Sequence, residues 1–350
     1  MDPITDLLAA VRPVDSSAAS RARALHDDLA KPPGSLGRLE AVAARLAAIS
    51  GQCPPPVPTR PVLVTAVADH GVHARGVTPW PQELSTTIAR TVAAGGACSS
   101  VLADQVGARL VVLDVGLATE PDDTDGMHRV RVRPGTRDLT VEPAMSGEEA
   151  AAAVRAGAAT AAEAIADGAD LLVTGEIGIG NTTTSACLIA ALTGEDPAQV
   201  VGGGSGIDDA MLVRKREVVR VALARHASVD TNDVLTTLAS VGGLEHAALV
   251  GVILEAAASR IPILLDGVTT NAAALVAAGC QPRVAGYLLA GHRSAEPGAQ
   301  IALEALGLDG LLDLGMRLGE GSGALLAVPL VQAATRLLHD AATFADLTAR

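Results

Sequence analysis

The segment Leu171-Leu-Val-Thr-Gly-Glu-Ile-Gly-Ile-Gly-Asn-Thr-Thr-Thr-Ser-Ala186 concentrates the residue types that do chemistry. An apolar run that reads as a buried strand meets three glycines, Gly175, Gly178 and Gly180. Asn181 and Thr182 follow, and then an Ala/Leu/Ile-rich stretch that reads as a helix. Strand, glycine turn and helix start together make an anion site, because the first N–H groups of a helix lack carbonyl partners and point at the ligand. The spacing Gly175-x4-Gly180 copies a P-loop, but Asn181 stands where a P-loop has the lysine that reaches β- and γ-phosphates. A monophosphate therefore fits better than a nucleoside triphosphate. Glu176, read as part of the turn, would repel a phosphate and is assigned to the reacting end of the site.

Three further motifs join it. Gly202-Gly-Gly-Ser-Gly206, followed by Ile207-Asp-Asp209, is a second glycine-rich turn before a helix. It is either a flexible loop or a second phosphate or ribose contact, with Lys215 two turns into the helix. Leu318-Gly-Glu-Gly-Ser-Gly-Ala324 sets Glu320 between glycines at a helix start. A helix-dipole partner is the bland reading. A general base is the functional one, since flanking glycines let a ligand approach a desolvated carboxylate. Gly291-His-Arg-Ser-Ala-Glu-Pro-Gly298 packs a cation, a hydroxyl and a carboxylate into one turn, where Ser294 is at even odds a helix cap. Asp208-Asp209 has no third metal ligand placed by spacing, and lone histidines such as His246 read as surface or core residues. A dinucleotide fingerprint is incomplete, because Thr183 occupies the place of the third glycine.

The elements that must position these motifs follow from composition and pattern. The 350 residues are 49% hydrophobic, yet Trp80, Tyr287 and Phe344 are the only aromatics, so Ala, Val, Leu and Ile build the core. Base-stacking platforms for nucleic acid are absent, and a net charge of −13 opposes nucleic acid and anionic membranes alike. Lys31 and Lys215 are the only lysines. Cys53, Cys98, Cys187 and Cys280 are scattered and read as four buried thiols of a reduced cytoplasm, without zinc or disulfides. Apolar stretches such as Leu244–Leu265 are broken by charges, and no signal sequence or transmembrane helix is expected.

Five β-branched runs, Pro61–Val67, Arg109–Val115, Asp170–Thr174, Ile261–Leu265 and Val284–Leu289, alternate with Ala-rich helical stretches. This is the pattern of an α/β fold, a parallel Rossmann-like sheet with helices on both faces. The runs lead to Asp69-His-Gly71, Asp114 and Gly116, Gly175-Glu176, Asp266-Gly267 and Gly291-His-Arg-Ser294, which outline one site at the carboxyl edge of the sheet. Glu120–Arg137 reads as a polar excursion. Residues 1–58, ending in the stiff Cys53-Pro-Pro-Pro-Val-Pro58, and the helical 331–350 are expected to form a small helical domain beside a catalytic domain over 59–330.

Taken together, these motifs resemble the nicotinate-nucleotide–dimethylbenzimidazole phosphoribosyltransferase family of cobalamin biosynthesis. The resemblance rests on Lys31-Pro-Pro-Gly-Ser-Leu-Gly-Arg-Leu-Glu40, Asp69-His-Gly-Val72, Gly175–Thr183, Gly206-Ile-Asp-Asp209 with Lys215, Asp266-Gly267, Gly291–Gly298 and Arg317-Leu-Gly-Glu-Gly-Ser-Gly323. It implies transfer of ribose 5-phosphate from nicotinate mononucleotide to an aromatic base, with inversion at the anomeric carbon, by a cytoplasmic homodimer that needs no cofactor. By the same resemblance Glu320 would be the general base and Glu176 would assist it. Gly178, Ile179, Gly180, Asn181, Thr182, Gly204, Lys215 and Ser294 would hold the nucleotide, and Pro81, Thr87, Ile177 and Leu318 would line the base pocket. The chemistry agrees with the residues. The donor's leaving group is already a pyridinium, so positioning and removal of one proton suffice.

The chain departs from the family pattern at three places. Thr87-Ile88 stands where a Gln-Met pair is common, Gly203 replaces an arginine, and Val268 replaces an aromatic. These changes leave the acceptor open, with dimethylbenzimidazole, adenine or a phenol as alternatives. A nucleotide-dependent oxidoreductase would need the complete fingerprint. A non-catalytic nucleotide sensor would have no use for paired carboxylates.

Overall fold

All eight residues of the strand Pro61–Ala68 are buried, and so are all seven of Leu171–Ile177. Strands without a solvent face belong to a parallel sheet covered on both sides. The structure, a computed structural model, describes residues 3–119 and 126–348 and contains that sheet. Its strands are β1 (Pro61–Ala68), β2 (Arg109–Gly116), β3 (His128–Arg129), β4 (Leu171–Ile177), β5 (Ile263–Leu265) and β6 (Leu288–Ala290), all parallel, in the order β3-β2-β1-β4-β5-β6. The order reverses beside β1, so a crevice opens between the carboxyl ends of β1 and β4.

The helices are α1 (Pro3–Ala10), α2 (Ser16–Asp28), α3 (Arg38–Ser50), α4 (Leu84–Ala93), α5 (Cys98–Gln105), α6 (Gly147–Ala166), α7 (Asn181–Thr193), α8 (Pro197–Val200), α9 (Asp209–Arg225), α10 (Val234–Val241), α11 (Leu244–Ala258), α12 (Val268–Cys280), α13 (Pro297–Ala305), α14 (Ser322–Asp340) and α15 (Phe344–Thr348). Strand alternation sorts them into two layers. Val62, Val64, Leu172, Ile263 and Leu265 point to the core shared with α6, α11 and α12. Leu63, Leu171, Val173, Leu264 and Leu289 point to the other, built from α2, α3 and α14. α2, α3 and α14 thus share one apolar core with a sheet face. The linker is fastened to α14, whose Gln332 amide donates to the Pro58 carbonyl (2.9 Å), with His339 against that of Pro55 (2.8 Å). α14 runs unbroken across residues 330 and 331.

Several expected boundaries move. The run Val284–Leu289 is mostly not strand. Pro282–Tyr287 forms a 3-10 turn that buries Val284 and Tyr287, and Tyr287 donates its hydroxyl to the Arg12 carbonyl (2.8 Å). A proline start and a full complement of apolar side chains suit either conformation. β5 starts only at Ile263, after Arg260 with its left-handed φ of +58°. β4 continues past Thr174, so Glu176 lies on the strand, opposite Ala66, and not in the turn. Of the excursion Glu120–Arg137, residues 120–125 lie outside the described residues; His128–Arg129 adds β3, and Arg133 and Arg137 pair with Glu149. Of the cysteines only Cys187 is buried; Cys98 is exposed.

Candidate active site

Four carboxylates approach one another at the carboxyl end of the sheet, and each meets a different partner. Glu176 leaves the end of β4 almost fully buried, with the Asn181 side-chain amide donating to its Oε2. Burial, and then the negative charges of Asp266, Glu245 and Glu320, push it well above the usual carboxylate range, against the lowering by Asn181. That environment favours the protonated acid.

Glu320 sits in a backbone that few side chains tolerate. Gly319, Glu320 and Gly321 have φ of +89°, +62° and +85°. A non-glycine residue in the left-handed region costs about 1–2 kcal/mol, so the conformation is held by its surroundings. Its N–H donates to the Glu176 carbonyl (3.3 Å), and Ser99 Oγ donates to its Oε2 (2.8 Å). Glu320 is not the helix-dipole partner of α14. That role falls to Asp266, which follows β5 and accepts the N–H groups of Gly321, Gly323 and Ala324 at 3.2, 2.8 and 3.0 Å.

The turn before α7 forms the next part of the site. A Cβ on Gly178 would stand 2.4 Å from the Ala68 carbonyl, so only glycine lets the turn lie against β1. The Ile179 N–H donates to Ser85 Oγ (3.0 Å), and the positive φ of Gly180, +98°, starts α7. Lys215, 2% exposed, reaches from α9 to donate to Thr182 Oγ1 (2.8 Å) and the Gly202 carbonyl (3.0 Å). Burial lowers its ammonium to about 8, with Glu296 opposing. The Gly202–Gly206 turn is gripped twice more: Gly204 N–H donates to Glu296 (2.7 Å), and Arg317 donates to the Gly204 carbonyl (2.7 Å). Arg317 thereby ties the Gly202–Gly206 turn to the Glu320 loop.

Between these parts lies a cleft of about 320 Å³. Gly178, Ile179, Gly180, Asn181, Thr182, Gly204, Lys215 and Ser294 all line it, as do Glu176, Glu320, Ile177 and Leu318. Pro81 and Thr87 do not and are exposed; from α4 it is Leu84 and Ile88, one turn apart, that line the cleft. Of the residues sequence reasoning gave no role, Trp80, His292 and Arg317 also line the cleft. Its lining includes the polar Lys215, Asn181 and Thr182, the apolar Val77, Trp80, Leu84 and Ile88, and the two glutamates. The β1 and β2 ends contribute structure instead. Asp114 accepts the N–H groups of Gly116 and Leu117 at 3.0 and 2.9 Å, and Asp69 that of Ala118 at 2.9 Å.

Beneath the glycine turn lies a fully buried cluster. Glu245 Oε1 is 3.0 Å from His70 Nε2 and 2.7 Å from His246 Nδ1. Burial alone would raise Glu245, but the two histidines hold it below the usual range. Burial alone would lower His70, yet Glu245 raises it above the usual histidine value. His246 Nε2 meets Ser185 Oγ (2.9 Å), which also donates to the Asn181 carbonyl (2.9 Å), so this cluster braces the first turn of α7.

A phosphoribosyltransferase family model matches residues 11–348. The nicotinate-nucleotide–dimethylbenzimidazole phosphoribosyltransferase of Salinispora tropica is 50% identical, over 96% of each chain. The enzyme of that name from Roseiflexus sp. is 46% identical, over 99% of this chain and 98% of its own. The chain belongs to the nicotinate-nucleotide–dimethylbenzimidazole phosphoribosyltransferase family. The crystal structure of the family member from Thermus thermophilus superposes with a TM-score of 0.90 at 45% identity, covering 96% of this chain and 99% of that one. A family fold therefore carries the cleft described above. No helix among the described residues is long and apolar enough to cross a membrane.

Proposed function

We infer that this chain transfers the 5-phosphoribosyl group of nicotinate mononucleotide to 5,6-dimethylbenzimidazole, releasing nicotinate and α-ribazole 5′-phosphate. The observation that carries the reading is one cleft lined by a buried lysine, the start of α7, the apolar Val77, Trp80, Leu84 and Ile88, and two glutamates, Glu176 raised by burial and Glu320 held by Ser99.

The phosphate lies on the Gly178–Thr182 turn with Lys215, and the flat base lies on the apolar wall. One nitrogen of the base attacks the anomeric carbon from the face opposite the pyridinium. The carbon–nitrogen bond to nicotinate breaks, and its electron pair neutralises the ring. The proton on the other base nitrogen passes to Glu320, whose carboxylate is the general base. Glu176, kept as the acid, donates a hydrogen bond instead of taking a proton. Direct in-line attack inverts β to α. The chain works as a homodimer in the cytoplasm; its unpaired cysteines agree with a reducing compartment.

Chromatography of nicotinate released from the mononucleotide, with and without dimethylbenzimidazole, tests the reading. Base-dependent release with an α-riboside product is expected. Release only with adenine or a phenol would replace the acceptor, and binding without release on any base would make the protein a sensor. Glu320→Gln should leave nucleotide binding intact and lower turnover by roughly two to four orders of magnitude.

A further inference from the structure

We propose that Ser99 is the positioning residue of Glu320: from the first turn of α5 it holds Oε2 and leaves Oε1 to take the proton of the acceptor. The proposal rests on the assignment of Glu320 as the base. Ser99 is fully buried and does not line the cleft, so it acts only through the glutamate. Its hydroxyl donates to Glu320 Oε2 at 2.8 Å. Two ordinary duties of a serine near a helix start are not what it does. α5 has Ala97 as its N-cap and no side-chain cap. The structural backbone bond is made by its neighbour Ser100, whose hydroxyl returns to the Val92 carbonyl (2.9 Å).

The need for such a partner follows from the Glu320 backbone. Its flanking glycines bring no side chains to brace it. The neighbouring acids are already engaged, Asp266 by three N–H groups and Glu176 by Asn181. A glutamate with three free torsions is a poor base unless one oxygen is fixed, because proton transfer needs hydrogen-bond distance and direction. Ser99 supplies that fixed point from a helix 221 residues away in sequence. As a donor it also matches the ionised form that a base requires. The first N–H groups of α5 add a positive end nearby.

The test is a double-mutant cycle in the full chain, read as nicotinate release at saturating acceptor. S99A should lower kcat roughly ten- to hundredfold, the range for one hydrogen bond to a charged group, with KM for the nucleotide within about twofold. S99C fills the same space with a poor donor and should behave alike if S99A folds badly. In an E320Q background, S99A should cost nothing further, because the bond it removes acts through the carboxylate. An equal loss in both backgrounds would overturn the proposal and make Ser99 a packing residue. Unchanged kcat in both S99A and S99C would overturn it as well. Full activity in E320Q alone would remove the base assignment, a failure separate from that of Ser99.

Discussion

Raising the pH should loosen the nucleotide through Lys215. In the free protein its ammonium lies at about 8, against 10.5 for an exposed lysine. That depression corresponds to about 3 kcal/mol for keeping a charge in a site with two neutral acceptors, Thr182 Oγ1 and the Gly202 carbonyl. The sign follows from linkage. Between about pH 8 and 10.5 the unfolded chain holds a proton that the folded chain has lost, so this group's contribution to stability rises with pH across that window. A phosphate monoester, fully ionised above pH 7, adds a charge next to Nζ and pulls the lysine back up. Binding therefore takes up a proton at high pH. With a value of about 8, the lysine is roughly nine-tenths charged at pH 7 and one-tenth charged at pH 9, so Kd should weaken about tenfold between them. Titration calorimetry of nicotinate mononucleotide at pH 7, 8 and 9, in two buffers of different ionisation heat, reads both Kd and the proton. Lys215→Met should bind weakly at pH 7 and show a flat profile. Equal Kd at pH 7 and 9, with no proton taken up, would refute the assignment of Lys215 to the phosphate.

The remaining predictions concern the acceptor and the second glutamate. Thr87→Ala, at an exposed position of α4, should leave KM for dimethylbenzimidazole within about twofold, whereas Ile88→Ala should raise it several-fold by opening the apolar wall; steady-state kinetics with varied acceptor separates the two. Glu176→Gln keeps a neutral donor in place of a neutral acid and should cost no more than about tenfold in kcat, far less than Glu320→Gln. A loss as large as that of Glu320→Gln would show that Glu176 works as a charged base.

The sequence carried the sheet and the anion turn because both leave local signals. β1 and β2 are β-branched runs whose observed limits differ from expectation by one residue each, and the glycines of the turn before α7 announce a close backbone approach. Continuous apolar runs are ambiguous, which is why a buried 3-10 turn at Pro282–Tyr287 reads as strand. The family resemblance places Thr87 in the base pocket because the family's glutamine stands at its position; in the structure Thr87 is exposed and its neighbour Ile88 lines the cleft. Contacts between distant segments leave no trace at all. Nothing around Ser99 marks it as a partner of Glu320, and nothing around Asp266 tells that it caps α14, 55 residues on.

The same non-local contacts decide which acid does what. Crowding several carboxylates into one corner raises all of them unless each has a compensating partner. Glu245 has two histidines, Asp266 has three N–H groups, and Glu320 has Ser99 and a half-exposed position. Glu176 is almost fully buried with a neutral amide as its partner, so burial and the negative charges of Asp266, Glu245 and Glu320 raise it. Two glutamates that look interchangeable in sequence, each beside a glycine, thus stand in different surroundings: Glu176 is buried and held toward its acid form, while Glu320 is half-exposed with one oxygen on Ser99.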